Sequence, residues 1–330
     1  LEENNEELCD NVSSFTDLYK YSSRTASFTQ KKRRELFLQK QKEKRCEAFD
    51  EKRDLSELFT EEPLESMEYE ASKAPKVCRK FPFSFKLMES EWLTEMPEDL
   101  ADSWLVKLCP QGVRYLVVAH KGITTCYLRN GRPCLKFKSN LPGGSVQNYG
   151  HRFTVLDCIY NKDVNSFFVY DVLAWNSMSL INAEAHMRFC WLKSKFAENP
   201  EICITKHPKN FHFILMDFFP AQNDLLQEYM FIPHIVNECE MPFEGVLFYH
   251  KEGHYVFSNS PLVGWLKTFM LPKAFNIDVH HIHLQNKPEN YESVQQYLNC
   301  KKKRRKNRKS NLMEMEQIEA ESENIECDNV

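Results

Sequence analysis

Glycine is scarce in this chain: there are nine among 330 residues, and all of them fall between Gly112 and Gly264. Turns with positive φ need glycine, so a strand-rich fold that reverses direction repeatedly is expected only within about that range. Long apolar runs are missing too. None approaches the ~20 residues that span a bilayer, and no membrane partner is expected. The twelve cysteines include no Cys-x-x-Cys pair, and the stretch after Leu1 is acidic where a signal peptide would be basic and then apolar. A reduced, intracellular protein is therefore expected. His280, His281 and His283 lie too far from any paired cysteines for a familiar zinc pattern, so neither metal nor cofactor is expected.

The formal charge is only −4, but it is unevenly spread. Basic residues crowd Lys31 to Arg53 and Lys301 to Lys309, and acidic residues crowd both ends. A globular core is expected over roughly Phe83 to Pro272, within a domain of residues 83–284. Before it come a segment 1–26, a basic helix 27–62 and a linker 63–82; after it, 285–330 reads as a charged tail without apolar periodicity. Both flanks are expected to be flexible when unbound.

Inside the core, Arg114 to His120 and Thr124 to Leu128 read as paired strands. Asn130-Gly131 is a strong hairpin turn leading to Cys134 to Phe137. Phe153 to Tyr160 and Phe167 to Trp175 form a second hairpin. A helix is expected from Asn182 to Ala197, capped by Asn182, with Met187, Cys190, Trp191 and Leu180 toward the core. Further strands are expected at Phe211 to Phe218, Gly245 to His250 and Leu262 to Phe269, and a helix at Gln222 to Tyr229. Many antiparallel strands with a few helices make an α+β domain.

From Ser27 to Phe59 there is neither glycine nor proline, and Ser27 with Gln30 forms a capping-box pattern. Lys31, Lys32, Arg33, Arg34, Lys40, Lys44, Arg45, Lys52 and Arg53 cover most of this helix, and its apolar residues form no continuous stripe. A helix polar all round gains little by packing on its own domain. A solvated helix, a nucleic-acid contact through counterion release and folding inside an acidic protein groove all remain open. The interspersed Glu35, Glu43, Glu47, Asp50 and Glu51 would be repelled by phosphate, which favours the groove.

Two resemblances sharpen this reading. Cys109-Pro110-Gln111-Gly112-Val113-Arg114 has the spacing of the Lys-x-Asp-Gly-x-Arg loop of covalent nucleotidyltransferases such as mRNA capping enzymes, with Cys109 where the attacking lysine would stand. Asp157 is kept, but Cys158 and Ile159 replace a glycine and a second carboxylate. Gly264 and Leu266 flank Trp265 where those enzymes carry lysines. With nucleophile, carboxylate and phosphate-binding lysines missing together, no phosphoryl transfer is expected. The strings Lys31-Lys32-Arg33-Arg34, Ser90-Glu91-Trp92-Leu93, Leu141-Pro142-Gly143-Gly144, Val155 to Asn161 and Pro261 to Leu266 resemble, in order, the snurportin family of import adaptors.

That resemblance implies an adaptor that binds the trimethylguanosine cap of small nuclear RNAs, shuttles between nucleus and cytoplasm, and is carried by importin β on the basic helix. It makes Trp265 the stacking platform, helped by space cleared at Gly264, although the residue alone would equally suit the core. Ser90 is implied as a base contact, Cys109, Val113, Arg114 and Tyr115 as the cap-contacting loop, Arg129 as a phosphate holder, and Leu192, Lys193 and Ser194 as a second contacting segment. Arg129 and Lys193 could instead be solvated, and Asp157 could pair with Arg114. Glu89 departs from the apolar residue the family places there, and snurportins can carry lysine where this chain has Arg129. Leu8, Val12, Phe15 and Leu18 recur at helical spacing and, by the same resemblance, form an exportin-binding signal; since the sequence starts at Leu1 rather than methionine, part of that signal is expected to be absent. Two alternatives stay open: a divergent nucleotidyltransferase using Cys109 or Lys107, and a general RNA binder that uses only the basic runs, Lys301 to Lys309 included.

Overall fold

In the computed structural model, the described residues are 20–21, 29–53, 83–84, 86–145, 152–203, 211–232, 234–236 and 239–301. The proposed exportin signal and the basic residues after Lys301 lie outside them. Two sheets organise the chain. The first has the order β1 (Lys20–Tyr21), β2 (Glu89–Trp92), β15 (Asn259–Lys267), β14 (Phe243–His250), β3 (Trp104–Pro110), β11 (Phe219–Pro220). Its β1–β2 and β2–β15 pairings are parallel and the rest antiparallel.

The second sheet runs β10 (His212–Leu215), β8 (Ser166–Trp175), β7 (Phe153–Asn161), β4 (Val113–His120), β5 (Ile123–Tyr127), β6 (Pro133–Phe137), with β9 (Met178–Ser179) on β8. Here β10 alone pairs in parallel among the described residues. A short ribbon, β12 (His234–Val236) with β13 (Cys239–Met241), stands apart. The expected α+β architecture is present, and the two hairpins fall where their apolar runs and turns put them. At Asn130-Gly131 the glycine takes φ 80°, and Asn130 Oδ1 accepts the Arg132 N–H at 3.0 Å.

The chain passes from the first sheet to the second at Gln111-Gly112, between β3 and β4. A Cβ at Gly112 would lie 2.4 Å from the Tyr160 carbonyl oxygen, so only glycine lets the strands approach there. Side chains alternate along β4. Leu116 and Val118 join the core shared with the first sheet, while Tyr115, Val117 and Ala119 join a second core on the opposite face.

Helices complete the described part of the domain, among them α1 (Gln30–Arg53), α2 (Leu100–Ser103), α3 (Ala185–Glu198), α4 (Asn223–Phe231) and α5 (Leu271–Phe275). None of the described helices is long and apolar enough to cross a membrane. Helix α3 corrects the expected core face. Ala185, Arg188, Phe189, Leu192 and Phe196 are its buried residues, Met187 is 60% exposed, and Glu184 rather than Asn182 precedes the first turn. The interior stripe was hidden by Arg188, a charge buried because both carboxylate oxygens of Asp171 accept from it at 2.8 Å.

Two further expectations are corrected. Helix α1 starts at Gln30, where Thr29 Oγ1 accepts the Lys32 N–H at 3.3 Å, and its described part packs on its own domain through hydrogen bonds in place of an apolar stripe. Nor is the chain free from residue 285 onward. A helix over 294–301 buries Leu298, and the Tyr297 ring lies 5.8 Å from Trp92 and 5.7 Å from Phe269. A few aromatic anchors among charges suffice to dock it, without a periodic pattern.

Candidate functional site

Strand register brings the main candidates onto one surface. Across β3, β14 and β15, Cys109 opposes Gly245, which opposes Lys267; in the next row Lys107 opposes Leu247, which opposes Trp265. Opposed residues in antiparallel strands share a face, and so do residues two apart, so these six line one side of the first sheet. Lys107 shows which side. Its ammonium donates to the Tyr170 carbonyl on β8 and lies 3.7 Å from the centre of the Phe189 ring on α3, so the surface looks toward the second sheet.

The benzo edge of Trp265 lies against Gly245. A Cβ there would sit 2.4 Å from Cη2 and 2.5 Å from Cζ2 of the indole. This corrects the role given to Gly264, whose Cβ position faces Leu93 and Phe248 on the opposite side. The glycine that makes room is Gly245, and it makes room for the tryptophan. Trp265 itself is 0% exposed.

Behind this surface lies a buried polar network. Asp157 accepts from Arg114 Nε at 2.8 Å, from Arg114 Nη2 at 2.5 Å and from the Tyr255 hydroxyl at 2.9 Å. Burial alone would lower the Arg114 pKa, and the facing Asp157 carboxylate more than reverses that, raising it well above its ordinary value. Arg188 makes the second pair and also donates to the carbonyls of Ala183 at 2.5 Å and Gly253 at 3.0 Å. Lys107 has no such carboxylate within bonding reach among the described contacts. Burial pushes its amine down to about 7, with Asp171 opposing the shift.

On β2, between β1 and β15, Ser90 is 2% exposed, and its hydroxyl has no hydrogen-bond partner among the described residues. Beside it, Arg129 Nη2 bonds Glu89 Oε1, tying the Asn130-Gly131 hairpin to β2, and Ser84 Oγ donates to the Asn130 carbonyl at 2.8 Å.

The remaining candidates separate. Cys109, Ser90, Arg129 and Trp265 lie on or beside the first sheet. Arg114 is taken up by Asp157, as one of the two readings of Asp157 had it. Tyr115 and Leu192 sit in the core on the far face of the second sheet, Val113 is half-buried at the start of β4, and Lys193 and Ser194 are exposed on α3. Three consecutive strand residues cannot all face one ligand, because neighbours point to opposite sides. Trp92 and Trp175 are core residues. Sequence reading passed over Tyr255 and Arg188; for Arg188 the available signal was a lone charge on an otherwise apolar helical face.

Among solved structures, the ligase domain of LigD from M. tuberculosis is similar at 14% identity and a TM-score of 0.37. That similarity covers 55% of this chain and 58% of the ligase chain. Chlorella virus DNA ligase-adenylate is similar at 15% identity and a TM-score of 0.35, over 56% of this chain and 67% of that one. The chain therefore spans about three fifths of the first of these relatives. A family model described as Snurportin1 matches residues 18–54. A second, described as Snurportin1, m3G cap-binding domain, matches residues 86–268, more than half of the 330 residues. The chain belongs to the Snurportin1 m3G cap-binding domain family.

Proposed function

We propose that this chain is a nuclear import adaptor: its two-sheet domain holds the trimethylguanosine cap of a small nuclear RNA, and α1 is the segment that importin β carries. The observation that supports this most is the span of the family match, which takes in every strand from β2 to β15. The chemistry agrees. A methylated guanine carries delocalised positive charge, so stacking on an indole gains cation–π attraction beyond the roughly 1–3 kcal/mol of base stacking. Trp265 is the proposed platform, and since its ring is enclosed, binding requires the layer over it to open. Ser90 offers a buried hydroxyl for the base, and Arg129 offers a cation for phosphate once Glu89 releases it. Leu8, Val12, Phe15 and Leu18 are proposed to bind an exportin that returns the adaptor to the cytoplasm.

Catalysis fits poorly. Cys109 stands in place of the nucleophile, and Asp157 is spent on Arg114 and Tyr255. One observation favours a second reading: an amine with a pKa of about 7, as at Lys107, is a competent nucleophile at neutral pH. It is 0% exposed, however, and bonded to the Tyr170 carbonyl. Titration with trimethylated, monomethylated and unmethylated cap dinucleotides, read by tryptophan fluorescence, tests the proposal. Saturable binding that prefers the trimethylated cap and weakens in Trp265→Phe supports it. Equal response to all three sinks it, and a label from GTP that survives denaturation would point to Lys107 or Cys109.

A further inference from the structure

The described part of α1 is held by one stripe: Gln30, Arg33, Arg34, Gln41 and Arg45, spaced by three, four or seven residues except for the adjacent arginines. Gln30 is 5% exposed and brackets the end of β2, its amide donating to the Trp92 carbonyl at 2.8 Å and accepting the Glu95 N–H at 3.0 Å. Gln41 repeats the device on the turn after β14, donating to the Glu252 carbonyl at 2.7 Å and accepting the His254 N–H at 3.0 Å. Side-chain amides used this way imitate a strand's own ladder, and a buried backbone group left unmet costs the full desolvation penalty. The helix therefore has a dedicated seat.

Between the two clamps, and one turn beyond the second, the cations are engaged. Arg33 pairs with buried Glu91, Arg34 donates to the Glu95 carbonyl at 2.9 Å and lies 5.4 Å from the Trp104 ring centre, and Arg45 meets Glu184 at 2.6 Å. Lys31–Glu98 and Lys42–Glu252 are exposed pairs that add little. Resting on the proposed function, we infer that α1 is an internal ligand of its own domain, and that importin β must strip it from this seat because Arg33, Arg34 and Arg45 cannot serve two sets of acceptors at once. Importin affinity is then reduced by the fraction of chains with the helix docked.

The test uses the full chain and acts on the seat, leaving the helix sequence intact. Wild type, Glu184→Gln and Glu91→Gln/Glu184→Gln are compared, with thermal melts to confirm folding. Amide exchange over residues 34–45 is expected to be at least about tenfold faster in the double variant, and its affinity for importin β about five- to a hundredfold higher, the usual range of such couplings. The single variant, altering a partly exposed pair, is expected to move the same way by less. Exchange over 34–45 as fast in wild type as in the variants overturns the seat, whatever importin does. Protected exchange in wild type with no gain of importin affinity in either variant overturns the competition. Failure of all three chains to bind importin β would count against the adaptor reading, while the exchange measurement still decides whether the helix is docked.

Discussion

Replacing Arg114 should cost stability before it costs any ligand contact, and the size of the loss can be worked out. The Asp157 side chain is 1% exposed, and two of its three hydrogen bonds come from Arg114. Arg114→Met leaves a buried carboxylate with the Tyr255 hydroxyl alone, and breaking such a pair typically costs about 3–5 kcal/mol. Urea unfolding followed by tryptophan fluorescence measures it. The double change Arg114→Met/Asp157→Leu should cost less than Arg114→Met alone, because no charge is stranded. A variant within about 1 kcal/mol of wild type would refute the reasoning. If it also lost cap binding, Arg114 would have to be restored to the ligand.

Gly245→Ala should destabilise by about 1–3 kcal/mol through overpacking against Trp265 and shift the tryptophan emission; an unchanged spectrum and midpoint would mean the indole does not rest there. Lys107 has a folded pKa of about 7 against 10.5 unfolded, so the unfolded chain binds more protons above pH 7 and stability should rise by about 1.7 kcal/mol from pH 7 to 8.5. Lys107→Met should abolish that rise in a urea series, and a slope retained in the variant would assign it elsewhere. Glu89→Leu should free Arg129 for phosphate and tighten cap binding by a factor of about 1.5–5, the worth of a partly exposed pair of roughly 0.2–1 kcal/mol. Weaker binding in calorimetry would mean that Glu89 itself contacts the cap.

What the chain disclosed in advance is what depends on neighbours. Apolar, β-branched and aromatic runs at Phe153 to Tyr160 and Phe167 to Trp175, and an Asn-Gly pair whose side chain supports its own turn, fix hairpins within a few residues. The site was legible in the same limited sense. The loop ending at Arg114 could be seen to approach something, but not which of Val113, Arg114 and Tyr115 would face it, since that depends on the side of β4 that meets the first sheet. The choice between Gly264 and Gly245 likewise turns on how β14 lies against β15. Charged and amide side chains were the least legible, because pattern reading assigns them to solvent unless a partner is known. Arg188 finds Asp171 17 residues away, Arg114 finds Asp157 at 43, Gln30 finds Trp92 at 62 and Gln41 finds Glu252 at 211. Each is buried or half-buried by a contact that only the folded chain supplies. A polar helix therefore gives no sign, in its own sequence, of whether it faces water, a partner's groove or the rest of its own chain, and an intramolecular seat for a partner-binding segment has to be sought in the acceptors of the domain it leaves.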